Sequence, residues 1–294
     1  MNLDESHGKL SAPRGIAGMG RVKNIMLETS DKKRLIRSKG IYLLPNLMTT
    51  AALFAGFYAI VASIDGNFDK AAIAIFVAQI FDGLDGKIAR LTRTESDFGK
   101  EYDSLSDMIA FGLAPAIVVY QWGIERLVET GPVWGKLGWL AAFTYTVSAA
   151  LRLARFNVIS ATTSKQFFEG LPSPPAASLV ASFVWLAADL GWSGTGSLML
   201  AFLVTAAAGT LMVSRFNYYS FKEIGTRKQV SFTYIIIVPM VFVLIALNPP
   251  LVLFCLAASF AISGPFYWLW KKVRPAKIVE VDPEADDNNY RDQA

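Results

Sequence analysis

Eight stretches of this chain, at about residues 41–64, 69–91, 104–122, 134–155, 173–190, 196–214, 230–247 and 249–270, are apolar over close to the ~20 residues that carry a helix across a bilayer. A helix is the form each must take, because hydrocarbon offers an open backbone no hydrogen-bond partner. With 53% of its 294 residues hydrophobic and 18% charged, the chain is expected to be an all-α integral membrane protein with about eight transmembrane helices. The first forty residues are polar and basic and contain no apolar core leading to a cleavage site, so they are not read as a secretory signal.

The placement of Lys and Arg checks the helix count, because short cytoplasmic loops keep basic residues. With eight spans and both termini cytoplasmic, only Lys70, Arg126 and Lys136 of the 28 Lys and Arg residues fall on the far side. Omitting any one span would put clusters such as Lys271, Lys272 and Arg274 on the wrong side. Three regions follow: a basic cytoplasmic N-terminal segment (1–40), a transmembrane domain (41–270) and a cytoplasmic tail (271–294). Within the first, residues 21–40 mix Ile, Met and Leu with many Lys and Arg. That pattern suits equally an interfacial helix on an anionic leaflet or a solvated basic flank. From Val279 the tail is acidic, poor in apolar residues and expected to be disordered.

Several chemistries are excluded by what the chain lacks. Cys255 is the sole cysteine and lies inside the last span, which excludes a disulfide framework and a thiolate metal site; it is expected to be a packing residue. His7 is the only histidine and lies in the polar N-terminal segment, so acid-base work in the membrane region falls to carboxylates. Neither a Walker sequence nor GxGxxG is present, and Asp82, Leu84 and Gly86 do not give the alternating acids of an EF-hand loop.

The chain nevertheless places four aspartates, Asp82, Asp85, Asp103 and Asp107, beside its apolar spans. At about 100° per residue, Asp82, Asp85, Gly86, Ala89 and Arg90 share one helical arc of about 140°. Gly99, Asp103 and Asp107 are four residues apart and form a second stripe at the start of the third span. An aspartate at mid-membrane depth costs roughly 2.5–3.5 kcal/mol, and four together also repel, so they call for water, partners or cations. With only oxygen ligands at hand, Mg²⁺ or Mn²⁺ fits better than Zn²⁺, and Asp82, Asp85 and Asp103 can hold two such ions. The lack of bulk at Gly86, Ala89 and Gly99 would let a phosphate-bearing ligand approach the backbone. The plainer alternative is a polar loop in which these acids pair with Lys87, Arg90, Arg93 and Lys100. A third reading, from another class, is a divalent-cation transport pathway, although a transporter would want its acids near the bilayer midplane.

The segment Asp82–Asp107 matches D-x2-D-G-x2-A-R-x8-G-x3-D-x3-D at every fixed position, and in this it resembles the CDP-alcohol phosphotransferase family. The strings GKEYDSLSDMIAFGLAP, LPNLMTT (44–50), RLARFN (152–157) and FFEGLPSPPAA (167–177) are similar to the phosphatidylserine synthase branch of that family. The resemblance implies a six-helix catalytic core, here followed by two C-terminal helices, usually homodimeric and facing the cytoplasm across a bacterial inner membrane. It implies that the acids of the motif form a two-metal site, Asp82, Asp85 and Asp103 binding the ions and Asp107, which completes the set, acting as base. Nucleotide contacts would fall to Asp82, Gly86, Ala89, Arg90 and Gly99, with Asn46 and Thr49 from the first span. Ala52 departs from the pattern, since many such synthases carry a second Asn there.

The implied reaction joins CDP-diacylglycerol and L-serine to give phosphatidylserine and CMP, with no nucleic acid partner. A glycerol phosphate or inositol phosphate acceptor is the nearest alternative. Arg152 and Arg155, at the inner end of the fourth span, would suit the carboxylate of serine, or serve only as positive-inside flanks. EGLPSPPAA is too rich in Pro and Gly to be helical throughout, which predicts a structured loop leading into the fifth span.

Overall fold

The structure, a computed structural model, describes residues 44–92, 94–160, 167–219 and 232–273. Helix α1 (Leu44–Ile64) turns at Gly66, whose φ of 76° suits glycine, into α2 (Phe68–Thr92). Helix α3 (Asp97–Asp107) runs through a π-helical segment, Met108–Leu113, into α4 (Ala114–Trp122) and ends in a 3₁₀ turn, Ile124–Thr130. Pro132 opens α5 (Pro132–Ser160), where its missing N–H costs nothing. There follow α6 (Ser173–Asp189), α7 (Thr195–Val213), α8 (Phe232–Leu247) and α9 (Pro249–Val273). Two three-residue strands, β1 (Phe167–Glu169) and β2 (Asn217–Tyr219), pair antiparallel with Phe168 opposite Tyr218.

Among the described residues each of the eight expected stretches is largely helical, and five helices are individually long and apolar enough to cross a bilayer: Leu44–Ile64, Asp97–Thr130, Pro132–Val158, Thr195–Val213 and Pro249–Val273. The others fall short for visible reasons. Helix α2 carries Asp82, Asp85, Lys87 and Arg90 in its last turns, α6 has 17 residues, and the described part of α8 has 16. The protein is an all-α integral membrane protein. The third span is longer than the sequence suggests, starting at Asp97 and continuing past Trp122 to Thr130. The basic segment 1–40, with His7, and the acidic stretch from Val279 lie outside the described residues.

Helix α6 sits at the centre, with Val180, Phe183, Val184 and Ala187 buried, and packs against α2, α4, α7 and α9. Tight approach depends on small side chains, as expected where dispersion rather than water drives helix association. A Cβ at Gly56 of α1 would lie 2.7 Å from Ala110 Cα, and one at Gly112 would lie 3.0 Å from Ala149 Cβ. The π-helical segment is braced by α5: Tyr145 donates its hydroxyl to Phe111 O at 3.0 Å, and Thr146 donates to Gly112 O at 3.3 Å. Carbonyls that an irregular helix leaves weakly paired are thus satisfied by a neighbouring helix.

The Pro- and Gly-rich segment is a short connection. Glu169 closes β1, Gly170 adopts φ 82°, and Pro172 caps α6, whose first turn accepts Pro174 and Pro175. Cys255 does not pack in the core as expected; it is exposed on the outer side of α9, a position that costs little where the surroundings are apolar.

Candidate active site

One end of the helix bundle collects the chemistry. The start of α1 brings Thr49, the end of α2 brings Asp82 and Asp85, the start of α3 brings Asp103 and Asp107, and the end of α5 brings Arg152. Because successive helices run in opposite directions, residues far apart in sequence meet at this edge. Helix α3 begins in register through Ser96, an N-cap whose Oγ accepts from Gly99 N at 3.0 Å.

One carboxylate oxygen each from Asp82, Asp85 and Asp103 lie within 4.8 Å of one another. Asp85 is 5% exposed and accepts a hydrogen bond from Thr49 Oγ1 at 2.7 Å. Thr49 is itself fixed to α3, since Ser106 Oγ donates to its carbonyl at 3.1 Å. Oδ1 of Asp103 is buried without a hydrogen-bond partner among the described residues. Asp107 stands beside this trio, its carboxyl within hydrogen-bonding reach of Asp82.

Neither ion pair formed among the described residues, Lys100 with Asp97 or Arg155 with Glu169, engages these acids. Arg90 folds back, donating Nε–H to Gly86 O at 2.8 Å. The polar-loop alternative therefore lacks its counterions within the described residues, Arg93 lying outside them. Three converging carboxylates and a buried oxygen without a donor fit a divalent cation, and an all-oxygen set fits a hard one such as Mg²⁺ or Mn²⁺. Along α2 Asp82 and Asp85 lie past the midpoint of Phe68–Thr92, and along the third span Asp103 and Asp107 lie in the first third of Asp97–Thr130.

Around the acids the wall is open on the side where small residues were expected to admit a ligand. A Cβ at Gly86 would meet nothing closer than the Arg90 guanidinium at 4.0 Å. Asn46 and Gly99 are neighbours, since a Cβ at Gly99 would lie 3.6 Å from Asn46 Oδ1. Ala89 is half-buried on the same face of α2, and Ala52, where a second Asn is common, is buried. A separate, largely apolar cavity of about 620 Å³, lined by Tyr120, Lys136 and Trp139, lies at the opposite end of the bundle.

The sequence model of the CDP-alcohol phosphatidyltransferase family matches residues 42–214, which include every residue of this acidic edge. The chain belongs to that family. This CDP-alcohol phosphatidyltransferase is 35% identical over 236 residues, 80% of the chain and 94% of the relative, to the CDP-diacylglycerol–serine O-phosphatidyltransferase of Helicobacter pylori. It is 30% identical over 275 residues, 90% of the chain and 85% of the relative, to the enzyme of that name from Mycobacterium leprae. An archaetidylserine synthase from Methanothermobacter thermautotrophicus is 36% identical over 180 residues, 60% of the chain and 69% of the relative.

The two arginines of this phosphatidyltransferase have different settings. Arg152 lies near enough to Asp107 for their charges to attract, and its Nη1 donates to Ser173 Oγ at 3.1 Å, while its buried Nε has no partner among the described residues. Arg155 instead forms an ion pair with Glu169 at the end of β1. Contacts thus link Thr49, the four aspartates and Arg152, Asn46 adjoins Gly99, and Gly86, Ala89 and Arg90 follow Asp85 on α2, while Arg155 pairs with Glu169. Ser173 and Glu169 were not singled out from sequence. Glu169 and Ser173 both lie in the quoted FFEGLPSPPAA string, but nothing in the spacing shows which arginine each would meet.

Proposed function

We propose that this CDP-alcohol phosphotransferase transfers the phosphatidyl group from CDP-diacylglycerol to the hydroxyl of L-serine, releasing CMP. The observation that carries the reading is the convergence of Asp82, Asp85 and Asp103, with Asp107 and Arg152 alongside, at one edge of a membrane bundle. The names borne by the Helicobacter and Mycobacterium relatives support serine as acceptor.

Asp82, Asp85 and Asp103 would hold two Mg²⁺ or Mn²⁺ ions, with Asp107 completing the acidic set. When bound, such ions offset charge on the diphosphate and on the attacking and leaving oxygens. Thr49 orients Asp85 by donating its hydroxyl to Oδ2. Gly86, Ala89 and Gly99 leave room for the cytidine nucleotide, which Asn46 and Arg90 border. Asp107 accepts the proton of the serine hydroxyl as its oxygen bonds to the lipid-linked phosphorus and the bond to CMP breaks. Arg152, anchored by Ser173 through Nη1, would offer its remaining N–H groups to the serine carboxylate. Arg155 borders the same side through Glu169.

The enzyme would have eight spans with both termini cytoplasmic, sit in a bacterial inner membrane with its site facing the cytoplasm, and work as a homodimer. That edge serves every reactant, since acyl chains lie in lipid while the cytidine headgroup and serine come from water. The test uses detergent-solubilised protein with CDP-diacylglycerol, labelled serine and Mg²⁺ or Mn²⁺. Lipid-soluble label with stoichiometric CMP is the expected result. Turnover with glycerol phosphate or inositol phosphate and none with serine would reassign the acceptor.

A further inference from the structure

Residues 217–219 and helix α9 both lie beyond the family match at 42–214, yet they meet in a socket that fits one side chain. Tyr218, fully buried, enters a notch in α9 where Gly264 has no side chain; a Cβ there would sit 2.4 Å from Tyr218 Cζ. The next residue, Pro265, has no N–H to give to Ala261 O, the carbonyl four residues earlier, so the helix leaves that acceptor unpaired. Tyr218 donates its hydroxyl to this carbonyl at 2.9 Å. Gly264 thus provides the space and Pro265 the acceptor, and a tyrosine satisfies both. Phe216 adds a second contact, its ring 5.7 Å from that of Trp268 on α9.

The socket holds the ribbon that faces the arginines. Phe216 O accepts from Gly170 N at 2.8 Å, and Leu211 O accepts from Leu171 N at 2.9 Å, so the β1–α6 connection is tied to the end of α7 and to β2. In the strand register Tyr218 is opposite Phe168, and its neighbour Asn217 is opposite Glu169, the partner of Arg155. Two residues after Leu171 comes Ser173, the partner of Arg152.

We propose that Tyr218, seated at Gly264 and Pro265 of α9, is a positioning residue for the acceptor: it sets the ribbon and the β1–α6 connection tied to it, and so the placement of Glu169 on β1 and of Ser173 at the start of α6, which aim Arg155 and Arg152. The proposal rests on the reading that these arginines border the acceptor alcohol. It assigns the C-terminal helix, outside the matched family region, a part in acceptor affinity and none in the metal and nucleotide contacts, which come from α1, α2 and α3.

Steady-state kinetics on the full-length solubilised protein test this, using whichever alcohol the wild type turns over. In Tyr218→Leu, which empties the socket, and Gly264→Ala, which fills it, the acceptor KM is expected to rise about tenfold, as for a displaced binding group, with donor KM and kcat near wild type. Tyr218→Phe keeps the ring in place and is expected to show a smaller rise. An unchanged acceptor KM, or an equal loss of donor and acceptor affinity, overturns the proposal. Should Tyr218→Leu not survive solubilisation, Gly264→Ala decides by the same criteria. A wild type inert toward serine but active on another alcohol counts against the serine reading alone, since the acceptor KM is then measured for that alcohol.

Discussion

Asp85 and Asp107 carry the same functional group in one cluster but differ in what surrounds them. Asp85 is held by Thr49 and adjoins Asp103, whereas Asp107 adjoins Asp82 and lies near enough to Arg152 for their charges to attract. Asp107→Asn keeps size and polarity but cannot take a proton, so turnover is expected to fall by ~10²–10⁴ with CMP and metal binding retained. Asp85→Asn is expected to weaken binding and turnover together. Calorimetric CMP titration with and without Mn²⁺, alongside rates, separates the two; equal and full activity in both variants would contradict the assigned roles. The pairing of acids along each helix was legible in the sequence because helical period alone puts Asp82 with Asp85 and Asp103 with Asp107, whereas their meeting across α2 and α3 depends on how the helices pack. The fates of the arginines were not, since Arg152 and Arg155 are three apart on one helix and only the placement of Glu169 and Ser173 tells them apart.

At the scale of elements, the long apolar helices were legible because hydrocarbon demands them. Their irregularities were not. MIAFGL, the π-helical segment after Asp107, reads as ordinary apolar helix, and its bracing by Tyr145 comes from a residue 34 positions away. The ribbon escapes notice for a similar reason, because two three-residue strands separated by some fifty residues carry no periodic signal. Tyr145→Phe removes the donor to Phe111 O from a buried site and is expected to cost about 1 kcal/mol. Thermal unfolding in detergent measures it as a lowered midpoint. Because Phe111 follows Asp107 by one turn, the variant is also expected to lower kcat more than it changes CMP affinity. An unaltered midpoint would mean that the carbonyl finds another donor.

For the whole molecule, alternation of helix direction puts Thr49, the four aspartates, Arg152 and Ser173 at one edge and Lys70, Arg126 and Lys136 toward the other. Membrane-impermeant thiol labelling of Cys255→Ser carrying one new cysteine gives the orientation. Cysteine at Lys136 is expected to label from outside intact cells, and cysteine at Lys100 only in inverted vesicles; the reverse pattern would place the acids on the wrong side for cytosolic substrates. The central claim is that the acids gather to hold divalent cations around a diphosphate. Mn²⁺ binding followed by electron paramagnetic resonance on the solubilised protein, with CMP present, tests it most directly. Wild type is expected to sequester Mn²⁺ and Asp103→Asn to leave it free in solution; equal binding by wild type and by the combined Asp82→Asn, Asp85→Asn and Asp103→Asn variant would contradict the account.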